Sequence, residues 1–208
     1  MPSVNWPSAL TPATMEMGIR FNCQVSVSDL SGYVQTLELP GARWTMSISM
    51  PPLERDSDGA TMEAFIAKLR GQAVRAVMPV FRRETPLGTW AGSPKVNNEV
   101  GSPTLSQTGT SLQVQDFSAF ATVKAGDYFN LGTGGQLLMV TEDGTADSSG
   151  LLTLSIHPAI RSAPAHLTAL ISASPVVPLM ILTDPHPRWR VKPGDINEFA
   201  LDFVEVFA

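Results

Sequence analysis

Three carboxylates crowd one turn of this chain. Glu142 and Asp143 are adjacent, and Asp147 follows closely. Such a cluster is the raw material of a calcium loop. Calcium, however, takes six or more oxygens, and no Asp-x-Asp-x-Asp series is present, so the three read as a solvated turn. His157, His166 and His186 lack metal-ligand spacing. His157 precedes Pro158 at the end of a strand pattern and His186 lies between two prolines, which reads as surface or turn. Gly132-Thr133-Gly134-Gly135 has the glycine density of a phosphate loop, but a strand pattern, Gln136 to Val140, follows where a helix should open, so it reads as a turn. Tyr128 and Phe129 could stack on a sugar ring, yet paired aromatics in a strand pattern read as core.

Cys23 is the single cysteine, so no intramolecular disulfide and no cysteine-based zinc cluster can form. It stands on the apolar side of an alternating run and is expected to be a buried thiol. The chain contains no Gly-x-Ser-x-Gly elbow, no Gly-x-x-x-x-Gly-Lys loop and no His-Glu-x-x-His. No catalytic, cofactor-binding or metal-binding residue is assigned. The expectation is a scaffold without cofactors, not an enzyme.

The elements that would carry such a scaffold are mostly strands. Residues 1 to 18, with Pro2, Pro7 and Pro12, read as an irregular arm bearing Trp6, a side chain that needs somewhere to dock. Phe21, Cys23, Val25 and Val27 alternate with polar residues, Tyr33 to Leu39 gives a second run, and Trp44, Met46, Ile48 and Met50 alternate most clearly. After Pro51-Pro52 the period changes. Met62, Phe65, Ile66 and Leu69 form one stripe of a helix over about 58–70, with Asp56, Ser57 or Asp58 as candidate caps and Gly71 at its exit. Val74 to Phe81 reads as another strand.

From Thr85 to Gly109 the composition turns to Gly, Pro, Ser, Thr and Asn, and short strand patterns then recur between turns: Ser111 to Val114, Tyr128 to Leu131, Gln136 to Glu142 and Leu151 to Ile156. This spacing predicts a separate small all-β barrel or sandwich over 91–171. Val176 to Leu182, Arg188 to Val191 and Phe199 to Phe207 return to the earlier style, with a bulge expected near Phe203-Val204, where the apolar phase changes. The fold class expected is mainly β (α+β): a β-sandwich of 1–90 and 172–208 with one flanking helix, interrupted by the inserted unit.

Composition narrows the function classes. Lys and Arg number 14 against 19 Asp and Glu, a net charge of −5. That balance argues against tight nucleic-acid binding, and Arg82-Arg83 is too sparse for a phosphate footprint. No apolar run is long enough for a membrane helix, and no leader pattern opens the chain, so membrane insertion is not expected and synthesis in the cytosol is. Only 16% of residues are charged, well below the usual quarter or so, which points to a surface shared with partners.

The order of segments then carries a resemblance. Leu39-Pro40-Gly41-Ala42-Arg43-Trp44, the alternating strand, Pro51-Pro52-Leu53 and a helix ending in Leu69-Arg70-Gly71 form one series. Ala125-Gly126-Asp127-Tyr128-Phe129, Val140-Thr141, Asp147-Ser148-Ser149-Gly150 and Ile156-His157-Pro158-Ala159-Ile160-Arg161 follow, and Trp189-Arg190-Val191 and Phe199-Ala200-Leu201 close it. The series resembles the distal tail proteins of long non-contractile-tailed bacteriophages (siphophages).

That resemblance implies a homo-hexameric ring at the virion tail tip, assembled in the host cytoplasm. The ring would adapt the tail tube protein to the hub or tip proteins, with DNA only in transient passage through its channel. It also implies a tail-tube-like sandwich in the outer domain, with the inserted unit pointing outward. Trp6 is the candidate residue for reaching a neighbouring subunit, and Glu54, Asp56 and Asp58 are expected near a ring face. Two alternatives stand beside it: a tail-tube, tail-terminator or other minor tail subunit, and, from another class, a carbohydrate-binding or host-adhesion module.

Overall fold

Two strand systems share the chain, the second inserted into the first. The computed structural model describes residues 2–81, 83–99 and 106–207; Arg82, half of the basic pair, lies outside them. The first system contains β1 (Ser3–Asn5), β2 (Thr14–Arg20), β3 (Cys23–Val27), β4 (Val34–Glu38), β5 (Arg43–Ser49), β6 (Leu53–Glu54), helix α1 (Ala60–Leu69) and β7 (Arg75–Pro79). The inserted system contains β8 (Gly92–Val96), β9 (Gly109–Phe117), β10 (Thr122–Val123), β11 (Tyr128–Leu131), β12 (Leu137–Val140), β13 (Gly144–Thr145), β14 (Leu152–Ile160) and β15 (Leu170–Ile171). The chain then returns to the first system through β16 (Val176–Leu182), β17 (Trp189–Lys192) and β18 (Ile196–Glu205). The protein is mainly β, with one α-helix among the described residues.

The main sheet runs β1-β7-β16-β18-β5-β2. The N-terminal half of β18 pairs instead with β6 and β17. Alternation explains the centre: Trp44, Met46 and Ile48 of β5 are buried and meet Phe199, Leu201 and Phe203 of β18 in one core. The helical stripe Met62, Phe65, Ile66 and Leu69 is buried in the same core, so the 3.6-residue period and the two-residue period find each other.

The helix start differs from expectation. A π-type turn over Arg55–Gly59 leads into α1, and none of Asp56, Ser57 or Asp58 caps it with a side chain. At its end Arg70 is left-handed (φ 49°) and Gly71 follows at φ 67°. A Cβ on Gly71 would also stand 2.8 Å from the Pro185 carbonyl oxygen, so both the backbone and the space require glycine there.

The N-terminal arm is more regular than its prolines suggest. β1 pairs in parallel with β7, and β2 pairs with β5 along its whole length. Met15, Met17 and Ile19 are the half-buried face of β2, a two-residue period hidden by its place on the sheet edge.

The inserted sheet runs β15-β11-β12-β14-β9-β8 and nearly closes on itself. Lys95 stands opposite Ala169, and the Val96 and Leu167 N–H groups donate across that seam, at 2.9 and 3.0 Å, to the Thr168 and Val96 carbonyls. Its interior holds Val96, Leu112, Val114, Phe129, Leu138, Val140, Leu154 and Ile156. Leu137-Leu138-Met139-Val140 is a continuous apolar run because both faces of β12 are covered. Leu138 and Val140 face the barrel, whereas Leu137 and Met139 join the core of the main sheet.

Candidate assembly surface

The β2–β5 hairpin does not stop at the edge of the sheet. Its inner half, Thr14–Arg20 against Arg43–Ser49, belongs to the main sheet, and its outer half, β3 against β4, continues as a two-stranded ribbon. Between the halves the Leu39 N–H donates to Asn22 O at 2.8 Å, and Asn22 Nδ2 donates to Pro40 O at 3.1 Å.

Every residue of β3 and β4 is exposed. Phe21, Val25, Val27, Leu30, Tyr33, Val34, Leu37 and Leu39 all present apolar surface, and Leu30 at the tip is 102% exposed. This overturns the expectation for Cys23 and its strand. The thiol is free and exposed, because the alternating face it belongs to has no core beneath it. An isolated two-stranded ribbon is marginal in water, and an exposed apolar patch of this extent is uncommon on a monomer, which makes the ribbon the candidate assembly surface.

The root of this arm is fixed to both strand systems. Phe21 packs on His157 of β14, ring centroids 5.2 Å apart, so His157 is an inter-element contact and not a free turn residue. Arg161, just past β14, donates from Nη1 and Nη2 to the two carboxylate oxygens of Glu205, each at 2.7 Å. Its Nη2 also donates to Ala42 O at 2.9 Å, and the Trp44 N–H donates to Glu205 Oε2 at 3.0 Å. Two guanidinium groups stand over the Phe207 ring, Arg161 at 4.0 Å and Arg43 at 4.4 Å from its centroid. Glu205 is 1% exposed.

The expected bulge near Phe203-Val204 is absent: β18 pairs with β5 in unbroken register from Ala200 to Val204. The inward phase does not change. Its next position after Phe203 is Glu205, a carboxylate that Arg161 and Trp44 satisfy.

A second buried carboxylate pins the insertion. Asp127, 1% exposed, accepts from the backbone N–H groups of Leu87, Gly88 and Lys124 at 2.5, 3.1 and 2.9 Å, and from Trp90 Nε1 at 2.7 Å. The Gly126-Asp127 turn thereby holds the segment that enters the barrel.

Trp6 docks on its own domain. It is 6% exposed, its Nε1 donates to Leu10 O at 2.7 Å, and its ring meets Phe65 and Phe81 edge-on, with centroids 5.2 and 5.7 Å away. Trp6 lines the base of a groove of about 450 Å³, with Val77, Pro79, Val80, Phe81 and Pro175 as apolar walls and the exposed Ser8, Thr11, Glu84 and Ser174 on its rim.

Glu54, Asp56 and Asp58 are all exposed, and Arg55 between them pairs with Asp195 at 3.6 Å. They lie at the Ser49 end of the sheet, opposite to the arm. Beside them Trp189 of the β17–β18 hairpin stacks on Phe199, while Lys192 pairs with Glu198.

The carboxylates of the opening turn diverge. Asp143 receives the Lys124 ammonium at 2.7 Å, Glu142 Oε2 accepts from Ser155 Oγ at 2.8 Å, and Asp147 Oδ1 accepts from the Ser149 and Leu151 N–H groups. The hydrogen bond from Lys124 and then that from the Ala125 N–H hold the Asp143 carboxyl below its ordinary value of 3.8. Among the described residues no cluster of three metal-ligating side chains forms. Gly132–Gly135 is the β11–β12 turn, with Gly132 and Gly134 left-handed, and Phe129 is barrel core.

Both strands of the arm are legible in the sequence, but their exposure is not, because an exposed apolar face alternates like a buried one. The signal the sequence did offer is Leu30, an apolar residue at the apex of the Ser28–Gly32 turn. Searches against protein-family models and curated proteins return no match, so the functional reading rests on the geometry of these surfaces and on the segment order.

Proposed function

We propose that this chain is a structural subunit of a siphophage virion: a distal tail ring that joins the tail tube to the hub or tip and leaves a channel for DNA. The observation that carries the reading is the projecting arm, an apolar ribbon whose two strands have no buried residue among the described residues. A subunit that must close a ring needs such a surface, since neighbours in an assembly are joined by patches that are exposed in each copy alone. The low charge content and the net charge of −5 suit a subunit with much of its surface shared and a lumen that DNA traverses without binding. In this reading the partners are copies of the chain, six to a ring, together with the tail tube and the hub or tip proteins. Its place is the tail tip, and its role requires no catalysis.

Mass photometry with negative-stain microscopy of the purified chain tests this. Closed rings of six are the expected result. Filaments many rings long would favour a tail-tube subunit, and a strictly monomeric protein that binds glycans would replace the proposal with an adhesion module.

A further inference from the structure

Resting on that ring reading, we infer that the Trp6–Phe81 groove of one copy receives the β3–β4 arm of the next. The two surfaces lie at opposite edges of the main sheet and at the same end of it. The arm extends β2 and β5, on one edge; the groove is built from the residues after β1, the end of β7 and the start of β16, on the other.

Their heights can be counted through the registers. Arg20 stands opposite Arg43, and Thr45 opposite Val204, so Arg43 is level with Val206. The Val206 N–H donates to Leu179 O, and Met180 stands opposite Ala76. Val77 is therefore level with the arm's root at Arg20, and Val77–Phe81 spans the height of residues 20 to 24, where Cys23 sits.

The groove cannot be filled by the chain's own arm. Six strands at about 4.8 Å spacing separate the two edges by roughly 24 Å, and the arm runs along the strands, not across them. A second copy placed edge to edge, without axial rise, meets the groove with its arm at the matching height. Such a contact joins two different patches, so it is head-to-tail, the type that closes rings when the rotation between copies permits.

The surfaces match in kind near the root of the arm. At the groove's level, residues 20 to 24 and their partners across the ribbon, the arm presents Phe21, Leu37 and Leu39 as exposed apolar side chains. The groove, about 450 Å³ in volume, offers them the apolar side chains of Val77, Pro79, Val80, Phe81 and Pro175, with Glu84 as its one charged lining residue. Trp6 thus serves assembly without reaching out, as the floor on which a neighbour lands.

The single native cysteine supplies the test. The untagged chain, carrying only Cys23, is co-expressed with a tagged Cys23→Ser/Ser174→Cys or Cys23→Ser/Ser8→Cys chain, and the purified mixture is treated with a short bismaleimide. The expected product is a tagged–untagged heterodimer. Its yield should be at least tenfold above that from Cys23→Ser/Ser57→Cys, whose thiol lies at the far end of the sheet. Assemblies seen by mass photometry without that heterodimer would overturn the groove as the docking site and leave the ring reading standing. A chain that stays monomeric at tens of micromolar would overturn both. Val25→Asp, on the exposed arm, should keep the wild-type melting temperature while lowering the assembled fraction at least tenfold; an unchanged assembled fraction also refutes the inference.

Discussion

Arg161 and Glu205 stand 44 residues apart and meet in a fork of two 2.7 Å hydrogen bonds. One follows the last long strand of the barrel and the other ends the last strand of the main sheet. The pair therefore joins the inserted system to its host at the point where the arm departs. Glu205 also accepts from the Trp44 N–H, and Trp44 Nε1 donates to Leu137 O of the barrel at 3.0 Å, so both partners of the pair belong to one network.

Removing one side of that pair leaves the other charge unpaired, fully buried for Glu205 and partly buried for Arg161. Glu205→Ala strands the Arg161 guanidinium and the Trp44 amide, and should cost about 3–5 kcal/mol in urea unfolding. Arg161→Met alone should cost a similar amount, because a carboxylate at 1% exposure cannot recover its hydration. The double variant Arg161→Met/Glu205→Leu should lose less than the sum of the two. A cycle with no coupling would show that the contact contributes nothing to stability.

Asp127 holds the entry segment through four N–H donors and no cation. Asp127→Asn puts an amide NH₂ where donors already point, so at least one bond is lost and one donor faces another. A loss of about 2–4 kcal/mol is expected, from charged hydrogen bonds worth 1.5–3 kcal/mol each and one unsatisfied donor. Limited proteolysis should show cleavage within residues 85–90 rising before cleavage elsewhere. Equal protection of that segment in wild type and variant would contradict the role.

These two carboxylates show where sequence patterning stops. The stripe Met62, Phe65, Ile66, Leu69 and the alternation in β5 were legible because each has a single buried face covered by its own chain. In β18 the same period continues, but its inward position after Phe203 is an acid, so hydropathy alone places a bulge where none exists. In β3 the period is present and the cover is absent. Pattern reports that a face is apolar and is silent about whether its own chain covers it. Asp127 looked like an ordinary Gly-Asp turn because three of its four partners come from 37 to 40 residues upstream and the fourth from the turn itself.

The Lys124–Asp143 pair makes a pH prediction with a definite sign. The carboxyl titrates below 3.8 in the folded chain, so its favourable interaction is present above the unfolded value and is lost as pH falls through the folded one. Both side chains are solvated, so the effect on stability is small. The site-specific measurement is a carbon-detected NMR titration of Asp143. Lys124→Met should raise its midpoint toward 3.8, and an unmoved midpoint would remove Lys124 as the principal cause.

The arm should exchange its amide hydrogens faster than the sheet it grows from. The ladder between β3 and β4 is flanked by water on both faces, whereas β5 is buried against β18 and α1. In dissociated protein, residues 23–38 should lose protection well before residues 43–49. On assembly the same amides should slow by an order of magnitude or more. Equal rates in the two states would mean that assembly leaves the arm uncovered.

Trp6 separates a core role from a purely intersubunit one. A tryptophan needed only by a neighbour could be truncated without cost to the isolated chain. This one is 6% exposed, with Phe65 and Phe81 edge-on and its indole N–H bonded to Leu10 O. Trp6→Ala should therefore cost about 3–5 kcal/mol in the monomer, the range for truncating a large buried aromatic. Trp6→Phe keeps a ring in place and loses chiefly the hydrogen bond, leaving Leu10 O to water or unpaired, at about 1–2 kcal/mol. Because the same ring is the groove floor, Trp6→Phe should weaken assembly while the monomer stays folded. Urea unfolding at low concentration reads the first effect, and mass photometry across a dilution series reads the second. A Trp6→Ala chain as stable as wild type would remove Trp6 from the core, and with it the floor of the proposed docking groove.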